Sequence, residues 1–291
     1  DFSALGIDKD DFALGARQAY TKALAYAEKL IPESSSYDAS APYRLLEKHG
    51  DLFNFDPEFS RNGYTAWINP EQIFTLSSTI NSAVSVPYAK YVLPQYPEGT
   101  SAVIENTQYG RVRPTRWVFQ KWCRTYPGEE HPEYPGLYVT STDPRLDVSL
   151  YHTSILNACT GAESEIYPQK ISNSKTAVYP YFKKYWSTAY NMNNGTASFY
   201  CMRFAEVYLD AAEAAAALGE TQKAYDYIEV LHKRARGTGD QPKWEAGRFA
   251  DNEELLLGIF WERVFELYGE GHEWNEVHRH GANWIVNNIS I

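Results

Sequence analysis

Helical periodicity is clearest at the two ends of the chain. Between residues 11 and 31, Phe12, Ala16, Ala19, Ala23, Ala27 and Leu30 recur at helical spacing, and Pro32 sits just past the last of them. From residue 200 the pattern returns and lengthens. Met202, Ala205, Leu209, Ala212 and Ala216 share one face, and Arg203, Glu206, Asp210 and Glu213 share another, the division expected of a docked amphipathic helix. Gly219 is placed to end that helix in a left-handed cap, and Thr221 to open the next. In the second helix Ala224, Ile228, Leu231 and Ala235 form the apolar face, and the spacing of Glu229 and Lys233 predicts an ion pair. A third helix is predicted from Asp251 to about Tyr268, with Asp251 and Glu254 spaced as a capping box and Leu257, Phe260, Val264 and Leu267 facing inward. Gly269 and Gly271 interrupt it, and Trp274 and Val277 mark one further short turn of helix.

The middle of the chain reads differently. All prolines except Pro32 and Pro242 fall between residues 37 and 199, with Asn-Gly, Asn-Pro and Pro-Gly steps among them. Such punctuation predicts short pieces joined by ordered loops. Gln72 to Leu76 reads as a strand and Thr115 to Cys123 as a short helix. Three parts follow: a helical repeat remnant over 1–36, a loop-rich ligand-facing part over 37–199, and a helical part over 200–291. The helix–Gly–helix unit around Gly219, with small Ala212 and Ala224 at its close approach, resembles a tetratricopeptide repeat, and one such hairpin needs neighbours to bury its face.

Composition narrows the partners. A net charge of −10 excludes a nucleic-acid face, which has to be basic, and disfavours docking on anionic lipid. No stretch approaches the length of a membrane span. Cys123, Cys159 and Cys201 are scattered and odd in number, so they define neither a disulfide framework nor a metal site. The unusual count is aromatic: 23 Tyr and 8 Trp, rings with a polar edge that suit packed loops and faces that bind sugars or proteins.

Taken together, the segments after residue 199 resemble the SusD/RagB family of outer-membrane lipoproteins. Phe199 to Gly219 reads FYCMRFAEVYLDAAEAAAALG, against that family's R-(F/Y)-A-E-(V/I)-x-L-x-x-A-E-A. Arg234-Ala235-Arg236-Gly237 follows, then Glu262-Arg263 with Glu266-Leu267, then Glu270-Gly271-His272 with Trp274, Arg279 and Gly281. Upstream, Asp51-Leu52-Phe53, Asn69, Glu71, Ile73-Phe74 and Asp143-Pro144-Arg145 match more loosely. The chain departs from the pattern at Glu273, Glu276 and His280, where the family carries Arg, Asp and Trp, and local repacking is expected there. It reads as the C-terminal two thirds or less of such a protein, without the lipidated N-terminal Cys.

The resemblance implies a mainly α fold, with tetratricopeptide-like helical pairs packed against a loop-rich irregular region in a SusD-like α-α superhelix. It also implies a cell-surface protein on the outward face of the outer membrane. Such a protein captures oligosaccharide or polysaccharide without catalysis, for a SusC-type TonB-dependent transporter, and is held to the membrane by a lipid anchor. A peptide- or protein-binding helical scaffold is the alternative, and a helical carbohydrate hydrolase a third reading.

No catalytic or cofactor chemistry stands out from the residues. His272, Glu276 and His280 share a helical face, but the order is not HExxH, and imidazoles more than two turns apart cannot share one tetrahedral ion. Capping and packing after Gly271 are expected instead. Glu262 and Glu266 lie one turn apart, not across a cleft as paired catalytic carboxylates must, so an ion-pair network with Arg263, Arg234 or Arg236 is expected. Arg236-Gly237-Thr238-Gly239 is too short for a phosphate loop. Sugar capture calls for aromatic residues on loops beside hydroxyl-reaching polar groups. The ligand-binding candidates are accordingly Tyr91 and Tyr96 between prolines (with Tyr88), Asn106, Tyr109 and Arg111 in one cluster (with Gln108), and Trp67 near Asn62, Tyr64 and Asn69. Trp117 and Trp122 read as core. No metal and no cofactor are expected.

Overall fold

The computed structural model describes residues 15–33, 35–77, 112–156, 163–171, 179–185 and 197–289. Helices dominate them: α1 (Ala16–Leu30), α2 (Arg116–Thr125), α3 (Arg145–Ser149), α4 (Phe204–Leu218), α5 (Thr221–Arg236), α6 (Asn252–Leu267), α7 (Glu273–His280) and α8 (Ala282–Ile289). Six short strands pair in twos, all antiparallel. They are β1 (Gln72–Leu76) with β6 (Phe199–Arg203), β2 (Leu150–Tyr151) with β5 (Tyr181–Phe182), and β3 (Ser154–Leu156) with β4 (Glu163–Glu165). A 3-10 turn spans His49–Phe53. No described helix is long and apolar enough to cross a membrane.

α4 is the hub, packing against α1, α5 and α6. Five alanines between Ala211 and Ala216 are buried, and side chains this small let three neighbours approach closely. A helix apolar nearly all round belongs inside, and α4 lies there. Gly219 ends it at φ +85°, ψ +11°, the left-handed cap expected from sequence. Thr115 caps α2 by accepting from the Val118 amide at 3.1 Å. Asp251 caps α6 by accepting from the Glu254 amide at 2.9 Å, while Glu254 reaches back to the amide of Ala250, one residue earlier than a strict capping box requires.

Several expectations are corrected. Residues 199–203 are a strand, not the start of a helix: alternating side chains pair with β1, and Phe204 N donates to Glu71 O at 2.8 Å where the helix begins. Met202 therefore sits on the sheet, and Arg203 is buried at the helix boundary instead of lining a polar helical face. Glu206, Asp210 and Glu213 are not a purely solvated stripe either, because Arg263 of α6 reaches Asp210 at 2.6 Å and Glu213 at 3.4 Å. Glu229 pairs with Arg236 two turns on, not with Lys233, and Arg236 also donates to Pro242 O at 3.0 Å. The single turn predicted near Trp274 is an eight-residue helix followed by a second one, α8. Helix α1 matches the predicted 11–31 segment from Ala16; residues 1–14 lie outside the described part.

Two apolar clusters fill the interior. One centres on α4 and gathers Leu24, Leu45, Tyr208, Ala224, Ile228, Leu231 and Ile259. The other is aromatic and joins Phe53, Phe55, Phe119, Trp122, Tyr126, Tyr185, Tyr200 and Phe265. Trp122 stacks on Phe265 at 4.8 Å and 20°, so it is core as predicted, and Trp117 packs partly buried against Trp261 at 5.1 Å.

Candidate functional site

Between the two clusters runs a chain of buried charges. Glu266 of α6 accepts from Arg203 Nη1 at 2.7 Å, from Arg234 Nη2, and from Arg145 Nη1 at 3.4 Å, with His49 Nδ1 3.3 Å away. Glu262, one turn earlier, accepts from Arg145 Nη2 at 2.8 Å and from the Tyr126 hydroxyl, and lies 3.1 Å from His232 Nε2. Glu71 bridges Arg234 at 2.7 Å and Arg203 at 3.0 Å while accepting from the Leu46 amide at 3.0 Å. Glu270 holds Arg203 Nε and Lys184 Nζ, each at 2.8 Å, and Asp143 holds Arg145 and the Trp122 indole. Each of these five carboxylates thus faces at least one of three arginines or Lys184 in the interior, as buried charges have to.

Their titration follows from that matching. Burial alone would raise each carboxyl. Arg145 and His232 overcome it and hold Glu262 at about 2. Arg203 and Lys184 likewise hold Glu270 at about 2, and Arg234 and His49 keep Glu266 well below the usual carboxylate range. Desolvation outweighs Glu266 at His49, whose pKa drops from 6.5 to about 4. Carboxylates so stabilised are poor proton carriers near neutrality, and both glutamates lie on one buried helix face. Of the cations expected to neutralise Glu262 and Glu266, Arg234 does so. Arg263 serves the acids of α4 and Arg236 serves Glu229, while Arg145 and Arg203 take the remaining places.

The helical face His272–Glu276–His280 does not converge on an ion. His272 stands at the N-cap position of α7, as expected after Gly271, but its side chain makes no cap; its Nδ1 lies 3.3 Å from Glu206 instead. His280 stacks on Trp284 at 3.9 Å and 18°. Glu276 binds Arg279, and Glu273 accepts from the Gly269 amide at 2.6 Å. The departures from the sequence motif therefore sit in local contacts. Among the described residues no group of three or more His, Cys, Asp or Glu side chains could hold a metal ion.

A surface cleft of about 230 Å³ lies where the irregular portion folds over the 3-10 turn. Its lining combines three rings, Tyr37, Phe59 and Tyr64, with Arg44, Arg61, Asn62 and Asp51. Asn62-Gly63 makes the reversal, both at positive φ, and brings Arg61 and Tyr64 into a mutual backbone pair. Arg44 donates to the Tyr64 hydroxyl and, at 3.2 Å, to Ala39 O, with its guanidinium 5.1 Å from the Tyr64 ring centre. Arg61 pairs with Asp51 at 3.1 Å; desolvation nevertheless raises the Asp51 pKa against that attraction. Rings and forked donors are thereby held in place before any ligand arrives.

Of the candidates read from sequence, Tyr91, Tyr96, Asn106, Tyr109 and Arg111 lie outside the described residues, as do Tyr88 and Gln108. Trp67 is half-buried and packs edge-on against Phe55 at 5.4 Å, behind the cleft and not on its lining. Its neighbours Asn62 and Tyr64 do line the cleft. Asn69 is buried and holds the turn, donating to Thr65 O and accepting from the Glu71 amide, both at 3.1 Å. Sequence reasoning missed Arg44, Arg61, Phe59 and Tyr37. The Asn62-Gly63 step marks the turn that pairs Arg61 with Tyr64, and nothing local in the sequence marks Tyr37, Arg44 or Phe59.

The fold is a mainly helical scaffold, the architecture of SusD-like proteins. The chain belongs to the SusD family, whose family model matches residues 70–285. Its fold is shared with a SusD superfamily protein from Bacteroides fragilis (TM-score 0.59, 16% identity, 89% of this chain and 47% of that one). It is similar as well to NanU from B. fragilis (TM-score 0.60, 18% identity, 95% and 54%). A third relative is surface glycan-binding protein A from Bacteroides thetaiotaomicron in complex with laminarihexaose (TM-score 0.55, 17% identity, 90% and 50%). The chain spans about half the length of these solved relatives. Comparison with curated protein sequences gave no match.

Proposed function

We propose that the protein captures a glycan at the outward face of a bacterial outer membrane, without cleaving it, and passes it to a SusC-type TonB-dependent transporter. The observation that carries this reading is the Arg44–Tyr64 cleft. Sugar rings present apolar C–H faces and a rim of hydroxyls, and a site for them needs aromatic walls with fixed donors and acceptors. Tyr64, Phe59 and Tyr37 supply the walls, and Arg44, Arg61, Asn62 and Asp51 the polar groups. Tyr91, Tyr96, Asn106, Tyr109, Arg111 and Trp67 complete the proposed binding set, Trp67 by supporting the loop behind the cleft.

Family membership and the laminarihexaose-bound relative support a glycan as the ligand. Glu262 and Glu266 support capture without catalysis: they are buried and consumed by arginines, and do not face each other across a cleft. Attachment to that membrane by a lipid anchor is part of the same proposal.

Affinity electrophoresis and calorimetry of the full-length protein against a panel of plant, host and microbial polysaccharides test the proposal. Saturable binding of one glycan with no reducing ends released supports it. Release of sugar would overturn the non-catalytic reading, and binding of peptides but no glycan would favour the protein-binding scaffold.

A further inference from the structure

A second cavity, of about 270 Å³, opens between the C-terminal half of α2 and the first turns of α6, and shares no lining residue with the Arg44–Tyr64 cleft. Its walls are aromatic, from Trp244, Phe249 and Trp261. Two cations stand at these walls. Lys121 Nζ lies 5.2 Å from the Trp261 ring centre, and the Arg248 guanidinium lies 5.8 Å from Phe249 and 5.9 Å from Tyr126.

The lining carries two cations, Lys121 and Arg248, and two carboxylates, Glu254 and Glu262, but the cations are not paired with them. In a chain of net charge −10, with its interior cations matched to carboxylates, neither Lys121 nor Arg248 has a carboxylate within ion-pair distance among the described residues. Burial lowers the Lys121 pKa, and the neighbouring Arg124 and Arg248 charges lower it further. An anion seated between them would relieve both effects. The two carboxylates that touch the cavity are directed to other partners. Glu262 is taken by Arg145, His232 and Tyr126, and Glu254 by the Ala250 amide.

We propose that this cavity is a separate binding site for a single carboxylate-bearing sugar residue, its carboxylate between Lys121 and Arg248 and its ring against Trp261 and Phe249. The cavity has room for one sugar residue, lying just under the ~300–1,000 Å³ usual for ligand pockets. Lys and Arg supply charge-assisted donors to the carboxylate, and the aromatic walls accept the C–H face. That the anion is a sugar acid rests on the glycan-capture reading; that the site takes an organic anion does not.

The test titrates the full chain with D-glucuronate, D-glucose and inorganic sulfate, read by tryptophan fluorescence and calorimetry. Glucuronate should saturate, with glucose and sulfate each at least about tenfold weaker. Lys121→Gln and Arg248→Gln should each weaken glucuronate about tenfold, the loss expected for one charge-assisted hydrogen bond, with unchanged thermal unfolding. Tyr64→Ala, in the other cleft, should leave glucuronate binding as it was. Glucose binding as tightly as glucuronate would overturn the proposal, as would equal binding of sulfate or indifference to both charge-removing variants. Failure of neutral polysaccharides to bind, with glucuronate still captured, would remove the reading of the Arg44–Tyr64 cleft and leave this site standing.

Discussion

Arg203 and Glu266 meet at 2.7 Å across 63 residues of chain, joining the end of β6 to the last turn of α6. Arg203 also donates from Nη2 to the Glu266 backbone oxygen at 2.7 Å and from Nε to Glu270 at 2.8 Å, so one guanidinium fixes the strand, the helix and the turn after it. Removing one member of such a group leaves the others buried and uncompensated. Arg203→Ala should therefore destabilise the chain by ~3–5 kcal/mol. Urea unfolding followed by far-UV circular dichroism measures it, and a loss under 1 kcal/mol would show that the network carries little of the fold.

Acid should weaken the fold in two stages. His49 titrates at about 4 in the folded state against 6.5 ordinarily, so the unfolded chain takes up its proton first and stability falls as pH drops from 6.5 toward 4. Glu262 and Glu270, held at about 2 against 4.5, contribute stability that is present above 4.5 and is lost as pH falls toward 2. Urea midpoints measured from pH 7 to pH 3 should decline throughout. A flat profile above pH 4.5 would argue against His49 as the first contributor, and His49→Gln should flatten that upper limb selectively.

Gly269 follows α6 at φ +81°, and a Cβ there would meet Phe182 Cδ1 at 2.6 Å. Conformational strain and overpacking act together, so Gly269→Ala should cost ~2–4 kcal/mol. Gly219→Ala, at a similar φ of +85° but with nothing within 4 Å, should lose less, ~1 kcal/mol. Thermal unfolding of the two variants side by side separates the steric part from the conformational part. Equal losses would mean that Phe182 moves aside freely.

Tyr64→Ala removes a wall of the cleft together with the hydroxyl that accepts from Arg44. Glycan affinity should fall by about five- to thirtyfold, corresponding to ~1–2 kcal/mol. Tyr64→Phe, which keeps the ring and drops the hydroxyl, should fall less. Affinity electrophoresis on the polysaccharide that the unmodified protein retains gives the comparison. Unchanged mobility for Tyr64→Ala would move the site elsewhere.

Much of the helical part was legible because local chemistry sets it. The apolar spacing of α5 and α6, the glycine after Leu218, and the Asp251–Glu254 cap all act within a few residues. Gly219 and Asp251 lie where the pattern puts them. α5 buries Ala224, Ile228 and Leu231 but Arg234 in place of Ala235, and α6 buries Phe260 and Leu267, with Leu257 and Val264 buried in part. The register of β6 was not legible, since Phe199 to Arg203 carries both helical and alternating signals and is decided by a partner strand more than a hundred residues earlier. The candidate site was less legible still. Arg44, Arg61 and Asp51 are ordinary surface residue types in sequence, and only the folding of their loop over the 3-10 turn brings them to the same cleft as Tyr64.

By itself the amino-acid sequence determined the longer helices α1, α2, α4, α5 and α6, the caps at Gly219 and Asp251, the Asn62-Gly63 reversal and the motif that marks the family, all features written in short-range spacing. Tertiary structure alone decided which arginine meets which glutamate. Those choices depend on burial and on contacts between residues far apart in the chain, where an unmatched charge costs several kcal/mol and the geometry of the whole fold selects the partner.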